Sequence, residues 1–378
     1  MGPLRGVRVV ELASLAPAPF GCMILADLGA DVLRVDRREP AAAAKQVPVG
    51  VLDRGRRTLA LDLKDPAAIT VLRRLVLAAD VFVEGFRPGV TERLGIGPDD
   101  LQAINPRLVY ARMTGWGQDG PFAPRAGHDI NYIAIAGALE PIGRPDSPPT
   151  PPLNLVGDFG GGGMLMALGI LAALHERHGS GKGQVVDAAM VDGAALLMSM
   201  VHGLHAQGAW RDERAGNMFD GSAAYYDSYE TADGKFVALG AVEPQFFAEL
   251  LDRLGLDGEG LPSHLDPAGW PVLKARLAEV FRTRTRDEWS QIFFDSDACL
   301  SPVLTPWEAA DHPANRARGT FIDVGGIRQP APAPRFSRTP AAHPAPVDDG
   351  GRDVAAALRS WGFAADEAER LIAASTVG

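Results

Sequence analysis

The sequence has few of the features that mark secreted, metal-binding or membrane proteins. Its two cysteines, Cys22 and Cys299, lie far apart and outside any metal or redox motif, which predicts reduced thiols in a cytoplasmic protein. The N-terminus lacks the apolar core of a signal peptide. The longest clear apolar run, residues 164–174, is shorter than the roughly 20 residues that a membrane helix needs. We therefore expect a cytoplasmic chain with no membrane partner.

Positive charge is scarce as well. The formal net charge is -10, whereas nucleic-acid and acidic-membrane binding require a basic face, so no nucleic-acid partner is expected. One segment departs from this balance. Residues 34–57 carry seven basic residues against three acidic ones, a local net charge of +4. Such a segment indicates either a solvated face or a local site for an anionic ligand.

Several motifs of common enzyme classes are absent. No G-x-G-x-x-G follows the first predicted strand, which disfavours a nicotinamide or flavin enzyme. There is no P-loop, no H-E-x-x-H and no nucleophile elbow in a Ser-His-Asp order. Kinase and hydrolase functions therefore lack support, and no metal site is expected.

The pattern of apolar residues predicts an α/β fold. Strand-like runs at residues 6–12, 31–35, 58–63, 80–85 and 108–113 alternate with helix-like segments, which is typical of a parallel, doubly wound sheet. A different unit begins near Tyr225, with a hairpin turn at Asp233 and Gly234 and helices near residues 244–254, 272–282 and 287–294. Residues 330–346 are rich in proline and predict an extended linker.

Two side chains embedded in glycine are candidates for proton transfer. His128 lies in the run AGHDINY after a long loop, and Asp158 immediately precedes Phe159 and four glycines at residues 160–163. A surface histidine and a helix-capping aspartate are the simpler interpretations. Four glycines disfavour a helix, however, so we expect a ligand to approach the backbone there.

Long stretches of the chain resemble a known family. They include GVRVVELASLAPAPFGCMILADLGADVLRVDR, EGFRPGVTERLG, YARMTGWGQDGP, AGHDINY, PPLNLVGDFGGG, KGQVVDAAMVDG and YETADGKFVALGAVEPQFF, in this order. Together they cover almost the whole chain and resemble the α-methylacyl-CoA racemases of the class III CoA-transferase (CaiB/BaiF) superfamily.

The resemblance implies a two-domain architecture. A large Rossmann-like CoA-binding domain with a parallel sheet would comprise residues 1–204 and 331–378. A linker at 205–224 would lead to a small α/β domain at 225–310, and a return linker would occupy 311–330. Two such ring-like subunits would interlock as a homodimer.

The resemblance also implies an activity in lipid and fatty acid metabolism. The enzyme would epimerise the α-carbon of 2-methylacyl-CoA thioesters by 1,1-proton transfer through an enolate. His128 and Asp158 would be the acid/base pair, and Glu243 of the partner subunit would support the histidine. CoA is part of the substrate, and no further cofactor is implied. The CoA contacts carried over are Arg37, Leu61, Asp62, Leu63, Lys64, Gly85, Phe86, Arg87, Pro88, Gly89, Arg93, Gly127, Asp129, Ile130, Asn131 and Tyr132.

This mechanism makes physical demands on the glycine run and on Asp158. A helix starting at residues 160–163 could offer donors to the enolate oxygen, and the basic segment at 34–57 could meet the CoA phosphates. The positive end of that helix should hold Asp158 ionised, which opposes its use as a proton donor.

Two other functions remain open. In class III CoA transferases the aspartate matching Asp158 is a nucleophile, and those enzymes do not typically carry a histidine at the position of His128. A non-catalytic acyl-CoA binder would need the arginine and glycine-loop sites but neither His128 nor Asp158.

Overall fold

The computed structural model describes residues 2–37, 50–346 and 353–378. The strands in that part of the chain are β1 (Arg8–Leu12), β2 (Asp31–Arg37), β3 (Arg57–Leu61), β4 (Val81–Glu84), β5 (Val109–Thr114), β6 (Val185–Ala189), β7 (Tyr226–Glu230), β8 (Phe236–Gly240), β9 (Leu300–Pro302), β10 (Phe321–Val324) and β11 (Ile327–Pro330). The α-helices are α1 (Pro17–Asp27), α2 (Pro66–Leu77), α3 (Val90–Arg93), α4 (Pro98–Ile104), α5 (Asp129–Ile135), α6 (Leu165–Ser180), α7 (Met190–Leu197), α8 (Ser199–Ala206), α9 (Pro244–Leu254), α10 (Trp270–Phe281), α11 (Arg286–Ile292), α12 (Pro306–Ala309), α13 (Pro313–Arg318), α14 (Val354–Ser360) and α15 (Ala365–Ala373). A π-helix at Leu155–Met164 runs directly into α6.

A six-stranded parallel sheet organises the first part of the chain, in the order β3-β2-β1-β4-β5-β6. Its central strand β1 pairs with β2 on one side and β4 on the other, so that Val9 lies between Val32 and Val81. The predicted parallel α/β fold is confirmed, and the strand boundaries differ from the predicted ones by a few residues.

Both faces of this sheet are buried. Val10 and its neighbours on one face pack against α2, α4 and the C-terminal helices α14 and α15, which contribute Leu358 and Ala368. Trp361, the residue after α14, packs into the same core. Val9 and the other face pack against α1 and α6, which contribute Leu25 and Ile170. Burial on both sides is why the central strands β1 and β4 are mostly apolar along their length and lack polar alternation.

The chain divides into two compact units. The first comprises residues 1–136, 153–197 and 319–378, and the second comprises residues 137–152 and 198–318. The second unit contains the antiparallel sheet β7-β8-β9, whose core packs against α9, α10 and α11. The segment 311–330, for which we predicted a return linker, contains α13 and the hairpin β10–β11. The predicted domain boundaries stay predictions.

The apolar helix of the first unit is longer than the sequence predicted. Its continuous span is Leu155–Ser180, 26 residues, because the glycine run is helical and extends it toward the N-terminus. By length and composition this helix could cross a membrane, and it is the one such helix in the described ranges. Its buried side chains, among them Met166 and Ile170, pack against the sheet as those of a core helix do.

Candidate active site

A cleft of about 560 Å³ opens at the carboxyl ends of β1, β4 and β5. The chain leaves β1 toward β2 on one side of the sheet and returns to β4 on the other. The strand order therefore reverses between β1 and β4. Open α/β sheets form ligand crevices at such a reversal point. The walls are formed by Ser14, Leu15, Ala16, Pro17, Gly85, Phe86, Arg87, Pro88, Met113, Thr114, Gly115, Trp116, Ala123, Arg125, Ala126, Gly127, His128, Tyr132, Asp158 and Met190. His128 and Asp158 thus face the same cavity.

His128 is positioned by the start of a short helix. It is the N-cap residue of α5 and has an extended backbone, with φ −133° and ψ 172°. Its backbone N–H donates to Oδ1 of Asn131 at 3.0 Å, which ties the cap to the first turn. The residue is exposed and lines the cleft. The imidazole is therefore open to a substrate while its backbone is fixed.

Asp158 lies in the first turn of the π-helix and is half-buried. Asn154, the N-cap residue, donates through Nδ2 to Oδ2 of Asp158 at 3.0 Å, and the backbone N–H of Asp158 donates to Oδ2 of Asp129 at 2.7 Å. Burial raises the pKa of the Asp158 carboxyl, and the charge of Asp129 raises that pKa further. The Asn154 hydrogen bond and His128 act in the opposite direction without reversing the shift. This rise is opposite to the effect expected from the helix end, and the ionised state of Asp158 stays a prediction.

Tyr132 lines the cleft together with His128 and Asp158. Its ring packs edge-on against Trp116, with 4.7 Å between ring centroids. A Cβ at Gly115 would lie 2.1 Å from the Tyr132 ring, so only glycine fits beneath it. Burial and the charge of Asp158 raise the pKa of the Tyr132 phenol, whereas the charge of Arg87 lowers it. The phenol therefore stays protonated close to Asp158.

The glycine run serves a different purpose from the predicted one. The helix begins at Leu155, so residues 160–163 lie inside it and not at its start. A Cβ at Gly161 would lie 2.7 Å from the backbone nitrogen of Ala194, and one at Gly163 would lie 2.3 Å from the carbonyl oxygen of Pro17. The close approach to these two glycines comes from α7 and α1. The prediction that this run supplies donors to an enolate oxygen is wrong.

The loop after β4 is held by a buried charge network. Oε2 of Glu84 accepts from the backbone N–H of Phe86 at 2.7 Å, and Oε1 accepts from Nε of Arg112 at 2.9 Å. Arg112 also pairs with Glu92 of α3, at 2.8 Å. Burial raises the pKa of Glu84 to about 7, and the hydrogen bonds from Phe86 and Arg112 act against that rise. This network fixes the base of the loop whose residues Gly85, Phe86, Arg87 and Pro88 line the cleft.

The remaining predicted CoA contacts are spread along the same edge of the sheet. Arg37 ends β2 and is exposed, and it stands opposite Leu61 at the end of β3. The Leu61 side chain is buried in the core, so only its backbone could meet a ligand. Other predicted contacts do not line the cleft. These are Asp62, Leu63 and Lys64 in the turn after β3, Gly89 and Arg93 at α3, and Asp129, Ile130 and Asn131 in the first turn of α5.

The basic segment is not a free cationic surface. Arg54 pairs with Asp27 of α1 at 2.6 Å, and both side chains are buried. Arg56 pairs with the buried Glu11 of β1. Arg34 pairs with Asp36 and Asp53, and Arg57 pairs with Asp31. Four of the seven basic residues thus have acidic partners, which leaves fewer unpaired charges than the sequence suggested, and their assignment to CoA phosphates stays a prediction. Arg38 and Lys45 lie outside the described residues.

Glu243 belongs to the second unit, where it is the exposed N-cap residue of α9. Cys299 is exposed, and partial desolvation by its neighbours raises the pKa of its thiol, with the charge of Glu243 raising that pKa further. The predicted role of Glu243 beside a partner subunit's histidine stays a prediction.

In residues 2–37, 50–346 and 353–378, no group of three or more His, Cys, Asp or Glu side chains is arranged to hold a metal ion.

Several cleft residues were not predicted from the sequence. Ser14, Trp116 and Arg125 line the cavity, as do Met113 and Met190. The apolar ones have the same pattern as core residues, so nothing in the sequence distinguishes them. Ser14, however, is the second residue after the first predicted strand, and the topological rule for parallel sheets could have identified it.

Comparisons with known proteins agree with this architecture. The model of CoA-transferase family III matches residues 4–350. An α-methylacyl-CoA racemase from Mus musculus is 50% identical over 366 residues, which cover 96% of this chain and 94% of the relative. The Homo sapiens α-methylacyl-CoA racemase is 47% identical, with 97% and 96% covered. A crystal structure of a CaiB/BaiF family protein from Brucella suis is 28% identical, with a TM-score of 0.78 and 95% of this chain and 99% of that chain covered. The chain therefore belongs to CoA-transferase family III.

Proposed function

We propose that this chain is an α-methylacyl-CoA racemase. It would invert the α-carbon of 2-methylacyl-CoA thioesters by 1,1-proton transfer, with His128 and Asp158 as the acid/base pair. The observation that carries the proposal is that these two residues line one cleft of the same unit. The names of the two racemase relatives support the same reaction.

The electrostatics of the pair suit proton exchange. Inversion needs one group that takes the α-proton and another that returns a proton to the opposite face, with pKa values close enough for both directions. Burial and Asp129 raise the pKa of Asp158 and bring the carboxyl nearer to the range of an imidazole. In one direction the ionised Asp158 takes the proton and protonated His128 gives one. In the other direction the roles are exchanged.

The CoA moiety would bind along the carboxyl edge of the sheet. Gly85, Phe86, Arg87, Pro88, Gly127 and Tyr132 line the cleft and would hold the part of the thioester near the α-carbon. Arg37, Leu61, Asp62, Leu63, Lys64, Gly89, Arg93, Asp129, Ile130 and Asn131 would form the rest of the CoA site. No cofactor beyond the CoA of the substrate is proposed.

A homodimer of interlocked subunits belongs to the same proposal. Apolar side chains of the first unit support it, since Met164, Leu168 and Leu197 are 55%, 60% and 56% exposed. Glu243 of one subunit would orient His128 of the other. Co-expression of His128→Ala and Glu243→Ala chains tests this, because a mixed dimer has one intact site only if Glu243 acts across the interface. Activity no higher than in either pure variant would contradict it.

The reaction itself is tested with one enantiomer of a 2-methylacyl-CoA in heavy water. The racemase should incorporate deuterium at the α-carbon and lose optical purity at matching rates. Absence of both changes with a range of branched acyl-CoAs would reject the proposal.

We also propose a cytoplasmic location, without nucleic-acid or membrane partners.

A CoA transferase is the second candidate, and membership of family III favours keeping it. In that mechanism Asp158 attacks the thioester carbonyl, the C–S bond breaks with CoA leaving as its thiolate, and an acyl anhydride forms on Asp158. Hydroxylamine would trap such an adduct on Asp158 in the presence of acyl-CoA, whereas the racemase forms none. A non-catalytic binder would bind CoA esters with neither exchange nor adduct.

A further inference from the structure

Two arginines, Arg87 and Arg125, line the cleft beside the candidate catalytic pair. Arg87 lies in the loop already assigned to CoA. Arg125 lies three residues before His128, in the long loop after β5, and is exposed. In the described ranges no carboxylate pairs with it, whereas four basic residues of segment 34–57 have acidic partners, namely Arg34, Arg54, Arg56 and Arg57. An unpaired cation on a cleft wall of an acidic protein calls for a ligand anion.

The guanidinium of Arg125 packs on the ring of Phe122. Its Cζ lies 4.5 Å from the centroid of the Phe122 ring, a cation–π contact, and its backbone N–H donates to the Phe122 carbonyl at 2.8 Å. Phe122 packs edge-on against Trp116 at 5.1 Å, and Trp116 packs against Tyr132. These ring contacts extend from Arg125 to Tyr132, on which the charge of Asp158 acts. A side chain fixed in this way loses little rotamer entropy when it binds an anion.

We propose that Arg125 is a substrate-binding residue that takes an oxyanion of the acyl-CoA. Guanidinium groups bind carboxylates and phosphates through paired N–H donors, so either group would fit. The substrate offers two sources, a phosphate of the CoA moiety or a carboxylate at the far end of the acyl chain. The inference rests on the proposed acyl-CoA substrate and names an additional determinant of affinity and specificity in that site.

Three ligands separate the two sources. They are a 2-methylacyl-CoA with a hydrocarbon chain, the same acyl group on pantetheine without phosphates, and a 2-methylacyl-CoA with a terminal carboxylate. The dissociation constant of each is measured calorimetrically for the wild type, Arg125→Gln and Arg125→Lys. Arg107→Gln is the matched control, since Arg107 is exposed and outside the cleft.

A phosphate partner predicts that Arg125→Gln weakens both CoA thioesters about 10- to 100-fold and leaves the pantetheine thioester unchanged. A carboxylate partner predicts that only the carboxylated ligand is weakened. In either case Arg125→Lys should recover part of the lost affinity, because lysine keeps the positive charge but lacks the paired N–H donors of a guanidinium. Equal affinities of Arg125→Gln and the control for all three ligands would overturn the proposal.

Binding is independent of turnover, so the two proposals fail separately. If the wild type binds acyl-CoA but takes up no deuterium at the α-carbon, the racemase proposal is contradicted. The dissociation constants of the Arg125 variants would then still test the role of Arg125. A wild type that exchanges deuterium, with an Arg125→Gln variant that binds normally, would contradict the role of Arg125 alone.

Discussion

The buried carboxylate of Asp129 accepts a hydrogen bond from the backbone N–H of Asp158, with 2.7 Å between Oδ2 and the nitrogen. Its other oxygen, Oδ1, is buried and has no hydrogen-bond partner in the described part of the chain. The same residue therefore fixes the backbone of Asp158 and places a second negative charge close to it. That charge raises the pKa of the Asp158 carboxyl, after the larger effect of burial.

Asp129→Asn should lower the pKa of Asp158, since the amide keeps an acceptor for the backbone N–H but removes the charge. For the direction in which Asp158 takes the proton, the acidic limb of the kcat/KM profile should move to lower pH. Asp119→Asn, an exposed site in the loop after β5, is the control for a simple change of net charge. An unshifted acidic limb in Asp129→Asn would contradict this electrostatic role.

His128→Ala should slow α-proton exchange at least about 100-fold, because general acid–base groups contribute that much or more. Affinity for CoA should be largely retained, as the backbone that faces the cleft is unchanged. Deuterium uptake and the CoA dissociation constant are the two measurements. His178→Ala in α6 is a suitable control, since His178 is exposed and outside the cleft. Near-normal exchange in His128→Ala would remove this residue from the mechanism.

Glu84→Gln should change how stability depends on pH. The folded-state pKa of Glu84 is raised from 4.5 to about 7, so the folded protein holds this proton more tightly than the unfolded chain. The contribution of Glu84 is therefore full below pH 4.5 and is lost as the pH rises toward 7. Because one pKa unit corresponds to about 1.4 kcal/mol, the loss is at most about 3–4 kcal/mol.

Denaturant unfolding of wild type and Glu84→Gln at pH 5 and pH 8 measures this effect as a difference. The wild type should lose free energy of unfolding relative to the variant between these values. A difference that is constant with pH would show that Glu84 is ionised in the folded protein over the whole range.

Gly193→Ala should destabilise the first unit. The added Cβ would lie 1.9 Å from the carbonyl oxygen of Gly161, a backbone atom that cannot move alone. We expect a loss of about 1–3 kcal/mol or more in the free energy of unfolding. Gly179→Ala in α6 is the matched control, with nothing within 4 Å of the new Cβ, and should stabilise by up to about 1 kcal/mol. Equal stability of both variants would contradict the packing interpretation.

The sheet was predictable because its strands are apolar on both faces. Each predicted strand of the parallel sheet is present, since burial on two sides requires long runs such as the one around Val9 and Val10. The resemblance to CoA-transferase family III also predicted that His128 and Asp158 belong together, and the cleft contains both.

Two features could not be read from local sequence. The glycines at 160–163 have low helix propensity, yet they are helical because α1 and α7 pack against their backbone. The basic segment suggested a cationic surface, but Arg54 pairs with Asp27 and Arg56 pairs with Glu11, both more than 25 residues away in sequence. Arg56 also pairs with Asp53 inside the segment. Tertiary contacts decide both cases.

The π-helix at Leu155–Met164 also determines where this chain tolerates insertions and deletions. Successive residues of this π-helix point in different directions around its axis, so a one-residue deletion ahead of Asp158 would rotate the carboxylate off the cleft wall. The proline-rich segment at 331–346 has no regular helix or strand and lies outside the cleft lining. Changes in length should therefore accumulate there during divergence, whereas the spacing between Asn154 and Asp158 should remain fixed.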